Sequence, residues 1–278
     1  MTKICIATPA FGEVFYTPYV QSMFRLMHAF QRRNWGSSFA SIAYADIAES
    51  RNFLLTRWFD KSDATHLLFV DADMGFPAEL VLDMVDFGQP VTGVIYPKRQ
   101  IDIEKIVAAT AAGEPLKRAI AKGHDYIVRK KRGLSIATPA KGFMQADGCG
   151  AGVFLIARSA IETMIKKMPA IVDTKAKANS PLAAKLDRLI RAFEPMRVNG
   201  ALLSEDFSFC HRWNQCGGQV WVNTNHTIEH IGLHRFRGSY SDLVPGIAES
   251  PAQIRVKEAV AKPKIVQRVR VQNAAKPK

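Results

Sequence analysis

The chain has 278 residues, with 38 Lys and Arg against 25 Asp and Glu, a formal charge of +13, and 47% hydrophobic residues. That length supports one large α/β domain with a real core, and no apolar run reaches the roughly 18 residues of a membrane-spanning helix. Four cysteines without a C-x-x-C pair argue against a zinc ribbon or a disulfide framework, while the positive charge asks for an anionic partner: a phosphorylated ligand, nucleic acid or a membrane surface.

Residues 1–12 form a short apolar stretch broken by Pro9, Gly12 and Glu13, without the apolar core or cleavage site of a secretory leader. The start is therefore expected to be mature and the chain cytoplasmic. Residues 3–8 are apolar and β-branched and predict a strand, followed by a helix over 18–32. A second strand at 39–44 runs into Asp46-x-x-Glu49, a capping-box-like start for a helix over 47–59. Residues 66–70 predict a third strand and 71–76 a loop. A helix over 77–87 then begins with Pro77 in its first position, and a fourth strand occupies 91–96. Strands alternating with helices of this length imply a mostly parallel sheet covered on both faces.

Residues 98–133 break this rhythm and read as a basic insertion with a helical stretch near 103–112. Strands are expected at 134–138, 143–147 and 153–156, and helices from 157 to 167, from 180 to 193, and from Ser204 to about Gln215. Short strands follow at 219–222 and 227–231. One domain over 1–248 and a basic tail over 249–278 complete the expected organisation, the tail having few large apolar residues to anchor it.

The densest chemical signal is Leu67-Leu68-Phe69-Val70-Asp71-Ala72-Asp73, an apolar strand that delivers two carboxylates at its carboxyl end, where open α/β sheets bind ligands. Such hard oxygen donors suit Mg2+ or Mn2+ bridging a diphosphate. Arg51 shares a helical stripe with Ile47, Leu54, Leu55 and Trp58, so its guanidinium needs an anionic or polar partner unless it reaches the surface or pairs with Asp46 or Glu49. Asp147-Gly148-Cys149-Gly150-Ala151-Gly152 offers a carboxylate beside backbone that a sugar can approach closely. Glu205 and Asp206 lie in the first turn of a helix, which the helix dipole favours on its own; one of them could serve as a general base. Among His226, His230 and His234, the imidazole of His230 is the preferred third metal ligand, with His234 second. Thr8, Pro9 and Ala10 end the first strand, placed to touch a base and ribose.

These motifs, in this order, resemble the GT-A glycosyltransferases over roughly residues 3–240. Val70-Asp71-Ala72-Asp73 followed by Phe76-Pro77 resembles the metal-binding motif of this superfamily, family 2-like or Anp1-like, and Arg51-Asn52 an Arg-Asn pair of its phage-type and Anp1-like members. Gly148 to Gly152 resembles the donor-sugar loop, Glu205-Asp206 the acidic pair at the acceptor site, and His230-Ile231-Gly232 the late histidine of the metal site. The resemblance implies a GT-A fold, a mostly parallel Rossmann-like sheet with a smaller mixed acceptor-side region. It further implies Mn2+ or Mg2+ on Asp71, Asp73 and His230, and nucleotide contacts from Thr8, Pro9, Ala10, Arg51, Asn52 and Asp71. Donor-sugar contacts fall to Asp147, Gly148 and Gly150, and catalysis to Asp206 as base with Glu205 orienting it. Lys98, in the basic segment near the expected diphosphate, is a secondary candidate apart from the resemblance.

The Q-x-x-R-W signature of processive synthases is missing, so single additions are expected, from a nucleotide diphosphate sugar to a glycan or glycolipid acceptor at the inner face of a membrane. The basic tail could lie on anionic lipid there. A sugar-phosphate nucleotidyltransferase also uses paired aspartates at strand ends. A basic nucleic-acid-binding protein would match the charge, but no zinc finger, RNP-like strand or recognition helix is found.

Overall fold

In the computed structural model, which describes residues 1–131, 142–174, 181–232 and 235–243, strand β1 (Lys3–Pro9) is buried on both sides. Ile4 and Ile6 enter one core; Cys5 and Ala7 enter another. A strand with two apolar faces must be covered twice, and the rest of the chain supplies both covers. In chain order come α1 (Thr17–Arg32), β2 (Gly36–Ile42), α2 (Ile47–Lys61), β3 (His66–Val70), β4 (Met74–Gly75), α3 (Ala78–Phe87) and β5 (Val91–Val94). The short helices α4 (Ile103–Ala111) and α5 (Leu116–Lys122) precede β6 (Val128–Lys130), β7 (Phe143–Cys149), β8 (Val153–Ala157) and α6 (Arg158–Lys167). Then follow β9 (Val172–Thr174), β10 (Arg188–Ile190), β11 (Met196–Val198), β12 (Ala201–Leu203), α7 (Glu205–Gln215), β13 (Val220–Asn223), β14 (Ile228–Ile231) and β15 (Arg235–Gly238).

Eight strands form the central sheet in the order β2-β1-β3-β8-β5-β13-β7-β6. β1 is parallel to β2 and β3, and β5 to β13, whereas β8 and β7 run against all their neighbours. The α/β class and the mostly parallel sheet expected from the sequence hold in this sense: two strands oppose the common direction. Leu26, Phe30, Leu80, Val81 and Met84 of α1 and α3 cover one face. Leu54, Trp58, Ile161, Met164, Phe209 and Trp213 of α2, α6 and α7 cover the other.

Several expectations are corrected. The helix expected over 180–193 is, in its described part, a single 3-10 turn followed by β10. Its backbone is claimed from outside: Thr56 Oγ1 accepts from Ile190 N at 2.9 Å and Asn52 Oδ1 from Phe193 N at 2.8 Å. Pro77 stands at the N-cap of α3 with an extended ψ of 146° and not in the first turn. The residues after 98 hold two helices, not one. Ile47 is exposed and leaves the core stripe of α2. Asp46 does cap α2, accepting from Glu49 N at 2.9 Å, whereas the Ser204 hydroxyl donates to the Asp206 carboxylate instead of capping α7. The strand expected at 134–138 and the tail over 249–278 lie outside the described residues. Among those described, no helix is long and apolar enough to cross a membrane.

Arg158 joins α6 to the end of α2. Its guanidinium donates to the carbonyls of Phe59 at 2.7 Å, Ser62 at 2.6 Å and Ala64 at 3.1 Å, and lies 4.8 Å over the Trp58 ring. Those acceptors belong to the last turn of α2 and the link to β3, where a positive charge is also favoured by the helix dipole. Arg158→Ala should cost about 2–3 kcal/mol, read as a lower urea midpoint at unchanged slope.

Candidate active site

Arg51 organises the site. It lies on α2, three and four residues before the core residues Leu54 and Leu55, and it is only 2% exposed. A guanidinium so enclosed must be paired. Nη2 donates to both oxygens of Asp71, at 2.8 and 3.0 Å, and Nε to Glu205 Oε1 at 3.4 Å. Phe69 and Phe193 flank it, their ring centroids 5.3 and 6.0 Å from Cζ. Burial by itself would lower its pKa; Asp71, Glu205 and Asp206 outweigh that and raise it, so the group stays charged. The expected need for a partner is met by Asp71 and Glu205, not by Asp46 or Glu49.

Asp71 and Asp73 sit on a loop fixed through its backbone. Asp71 N donates to Gly152 O at 2.9 Å, Met74 N to Asp71 O at 3.1 Å, Tyr16 N to Ala72 O at 3.0 Å and Ile231 N to Asp73 O at 2.8 Å. Burial pushes the Asp71 carboxyl up to about 6; Arg51 pulls it down and Asp73 adds to the rise. β4 pairs antiparallel with β14 in the register Met74 to His230, which brings the imidazole beside Asp73, Nε2 lying 3.5 Å from Oδ2. His230 Nδ1 meets Pro97 O at 2.9 Å. A carbonyl only accepts, so Nδ1 donates there and Nε2 is the ring nitrogen that faces Asp73, the placement usual for metal-binding histidine. From the exposed loop after β5, Arg99 reaches the same Asp73 oxygen at 3.2 Å.

Asp73 and His230 therefore fit a divalent cation as an oxygen and nitrogen pair. The expected trio with Asp71 is not assembled: among the described residues no group of three His, Cys, Asp or Glu side chains stands ready for a metal, because Arg51 takes both Asp71 oxygens. His226 goes elsewhere, its Nε2 2.7 Å from Asp83 Oδ2. His234 lies outside the described residues.

α7 adds the remaining carboxylates. Glu205 is held by Arg51. Asp206 Oδ1 accepts from Ser204 Oγ and from Phe207 N, the latter at 2.7 Å, and burial followed by the Glu205 charge raises its pKa. A cleft of about 640 Å3 opens beside Glu205 between the start of α2 and β12, with Asp46, Glu49, Arg191, Glu194 and Leu202 on its walls. Tyr96, which the sequence reading did not single out, is buried among these groups. Its hydroxyl accepts from Gly152 N at 3.1 Å, and its ring meets His230 edge-on at 5.3 Å. It stands just past β5, at the carboxyl strand ends that marked Asp71, and that position was the available signal.

The glycine run makes room for neighbouring side chains. A Cβ at Gly150 or Gly152 would run into Tyr96, and one at Gly148 would stand 2.8 Å from the Phe207 ring. Asp147 is exposed, its carbonyl bonded to Asn214 at the far end of α7 from Glu205 and Asp206. Thr8, Pro9 and Ala10 are enclosed, with the Thr8 hydroxyl bonded to Tyr19 at 2.7 Å. Asn52 is likewise buried and holds Phe193. Lys98 is exposed, and its neighbour Arg99 is the residue that contacts Asp73.

No protein-family model and no curated protein matches the sequence. Among solved structures, the chain is similar to the A197 protein from STIV, with 15% identity, a TM-score of 0.45, and 87% of this chain and 92% of that one covered. It is also similar to a mutant Drosophila β-1,4-galactosyltransferase 7 solved with manganese, UDP-Gal and xylobiose (14% identity, TM-score 0.38, 84% and 71% covered). A third is a putative glucose-1-phosphate thymidylyltransferase from Bacillus anthracis (9%, 0.37, 83% and 89%). Overlaps this distant define no family; the chemistry has to be read from the site itself.

Arg51→Met should destabilise the fold by about 3–5 kcal/mol, since it strands buried carboxylates. Adding Asp71→Asn should return at least about 1 kcal/mol of that loss, both measured by urea unfolding at pH 7.5.

Proposed function

We propose that this chain is a metal-dependent glycosyltransferase of the GT-A type, moving a hexose from a nucleotide diphosphate sugar to a glycan or glycolipid acceptor, one addition at a time. One juxtaposition carries the reading: Asp73 and Nε2 of His230 face each other beside a buried guanidinium whose second counter-ion, Glu205, opens onto a cleft. Asp71, Asp73, Glu205 and Asp206 stand against Arg51 and Arg99, and that surplus of negative charge favours a divalent cation. Asp73 and His230 would hold Mn2+ or Mg2+, which would supply the positive charge that offsets a departing nucleotide diphosphate.

The chain's own groups do the rest. Arg51 fixes Asp71 and Glu205 at once, so the carboxylates cannot turn away from one another. Asp206, with one oxygen tied to Ser204 and Phe207, uses the other to take the proton of an acceptor hydroxyl. The cleft beside Glu205 seats that acceptor, and Arg99 meets a donor phosphate from the exposed side.

In a thermal-shift series with UDP, GDP, CDP and their sugars, one nucleotide should raise the melting temperature in a Mn2+-dependent way, and Asp73→Ala should abolish the rise. Asp206→Asn should keep the rise yet lower turnover by about 10²–10⁴-fold. No rise with any nucleotide would sink the proposal. Release of pyrophosphate would move the protein to the nucleotidyltransferases.

A further inference from the structure

The face formed by α1 and β2 departs most from ordinary surface chemistry. Val20, Phe24 and Met27 recur at i, i+4 and i+7 on α1, and all three are exposed, Phe24 by 67%. The stripe continues onto β2. Ser37 Oγ lies 3.6 Å from the Met27 sulfur, and two residues on along the same face of the strand, Phe39 is 56% exposed and meets the Phe15 ring at 6.5 Å. Phe11 and Val14 extend the apolar surface at the end of β1.

The charges beside the helical part of this surface have one sign, and the exposed Glu13, between Phe11 and Val14, is an acidic group at its far end. α1 contains no Asp or Glu. Arg25, His28 and Arg32 follow each other along the neighbouring helical stripe, all exposed, and no ion pair among the described residues engages either arginine. The two edges of the central sheet differ accordingly: β6 carries Arg129 and Lys130, the charges that usually guard an edge, whereas β2 carries none. Exposed aromatic and aliphatic side chains bordered by unpaired arginines suit a surface that is apolar beneath and negatively charged above.

We propose that this face docks on an anionic lipid surface, Phe24 and Phe39 entering the acyl boundary while Arg25 and Arg32 meet lipid phosphates. A second copy of the chain fits less well, because a two-fold contact would set these arginines against their equivalents on two chains that each carry +13. The proposal does not depend on the enzymatic reading. It bears on the site all the same: Tyr16, beside the patch, is bonded through its N–H to Ala72, between Asp71 and Asp73.

The test is co-sedimentation of the full chain with vesicles of phosphatidylcholine alone or mixed with phosphatidylglycerol. Three proteins are compared: the wild type, the double variant Phe24→Ser/Phe39→Ser, and Arg25→Gln/Arg32→Gln. All keep the basic tail, so its contribution is common to them. The wild type should bind the anionic vesicles far better than the neutral ones. The phenylalanine pair should lose about tenfold or more in partitioning, and the arginine pair several-fold. All four side chains are exposed, and melting temperatures close to the wild type's would confirm that folding is intact. Unchanged partitioning of the phenylalanine variant would overturn the proposal. So would a wild-type dimer in gel filtration that this variant converts to monomer, which would make a second copy the occupant.

Discussion

A charged guanidinium sealed in an apolar interior is the constraint on which the rest of this structure turns. Arg51 sits between two phenylalanine rings, where an unpaired charge would cost several kcal/mol. Asp71 and Glu205 remove that penalty, and in doing so they bind together three separate pieces of the fold: the helix after the second strand, the end of the third strand and the start of the last helix. The site is therefore not an ornament on a finished scaffold. Its central ion pair is one of the contacts that hold the scaffold's layers in register.

A second consequence concerns division of labour among carboxylates that look equivalent in the sequence. Asp71 and Asp73 are two residues apart on one loop, yet one is turned inward and spent on Arg51 while the other faces His230 and Arg99. Glu205 and Asp206 divide in the same way, the first tied to Arg51 and the second to its own helix start. Each pair thus contributes one group held by Arg51 and one held by other partners. Burial raises the pKa of both Asp71 and Asp206, so the negative charge of the site depends on cations close by.

The alternation of strands and helices was legible because an apolar run bounded by Pro, Gly or Asp has few readings. Asp71 and Asp73 stood out as candidates because the carboxyl end of a buried strand is where ligands meet an α/β sheet. That Arg51 needed a partner could be read from its helical stripe; that the partner is Glu205 could not, since nothing local links residues 154 apart. The choice of His230 over His226 came from a resemblance, and the physical reason is the β4–β14 register, which no spacing rule reveals. At the glycine run the sequence shows that side chains are missing, not what fills the space. Only the fold shows Tyr96 and Phe207 there. Residues 181–193 carry a helical pattern that lost to two side-chain acceptors on α2, Thr56 and Asn52, far away along the chain.

The two bonds of Arg51 close loops of very different length: Asp71 is 20 residues away and Glu205 is 154. A short loop closes at far less entropic cost than a long one. During synthesis, the first pairing becomes available as soon as the third strand has emerged, while Glu205, Asp206 and His230 are still to be made. The emerging chain can thus keep its buried arginine neutralised from an early stage, yet it holds no assembled site until its last strands dock. The spacing of the partners alone therefore sets the order in which these side chains come together.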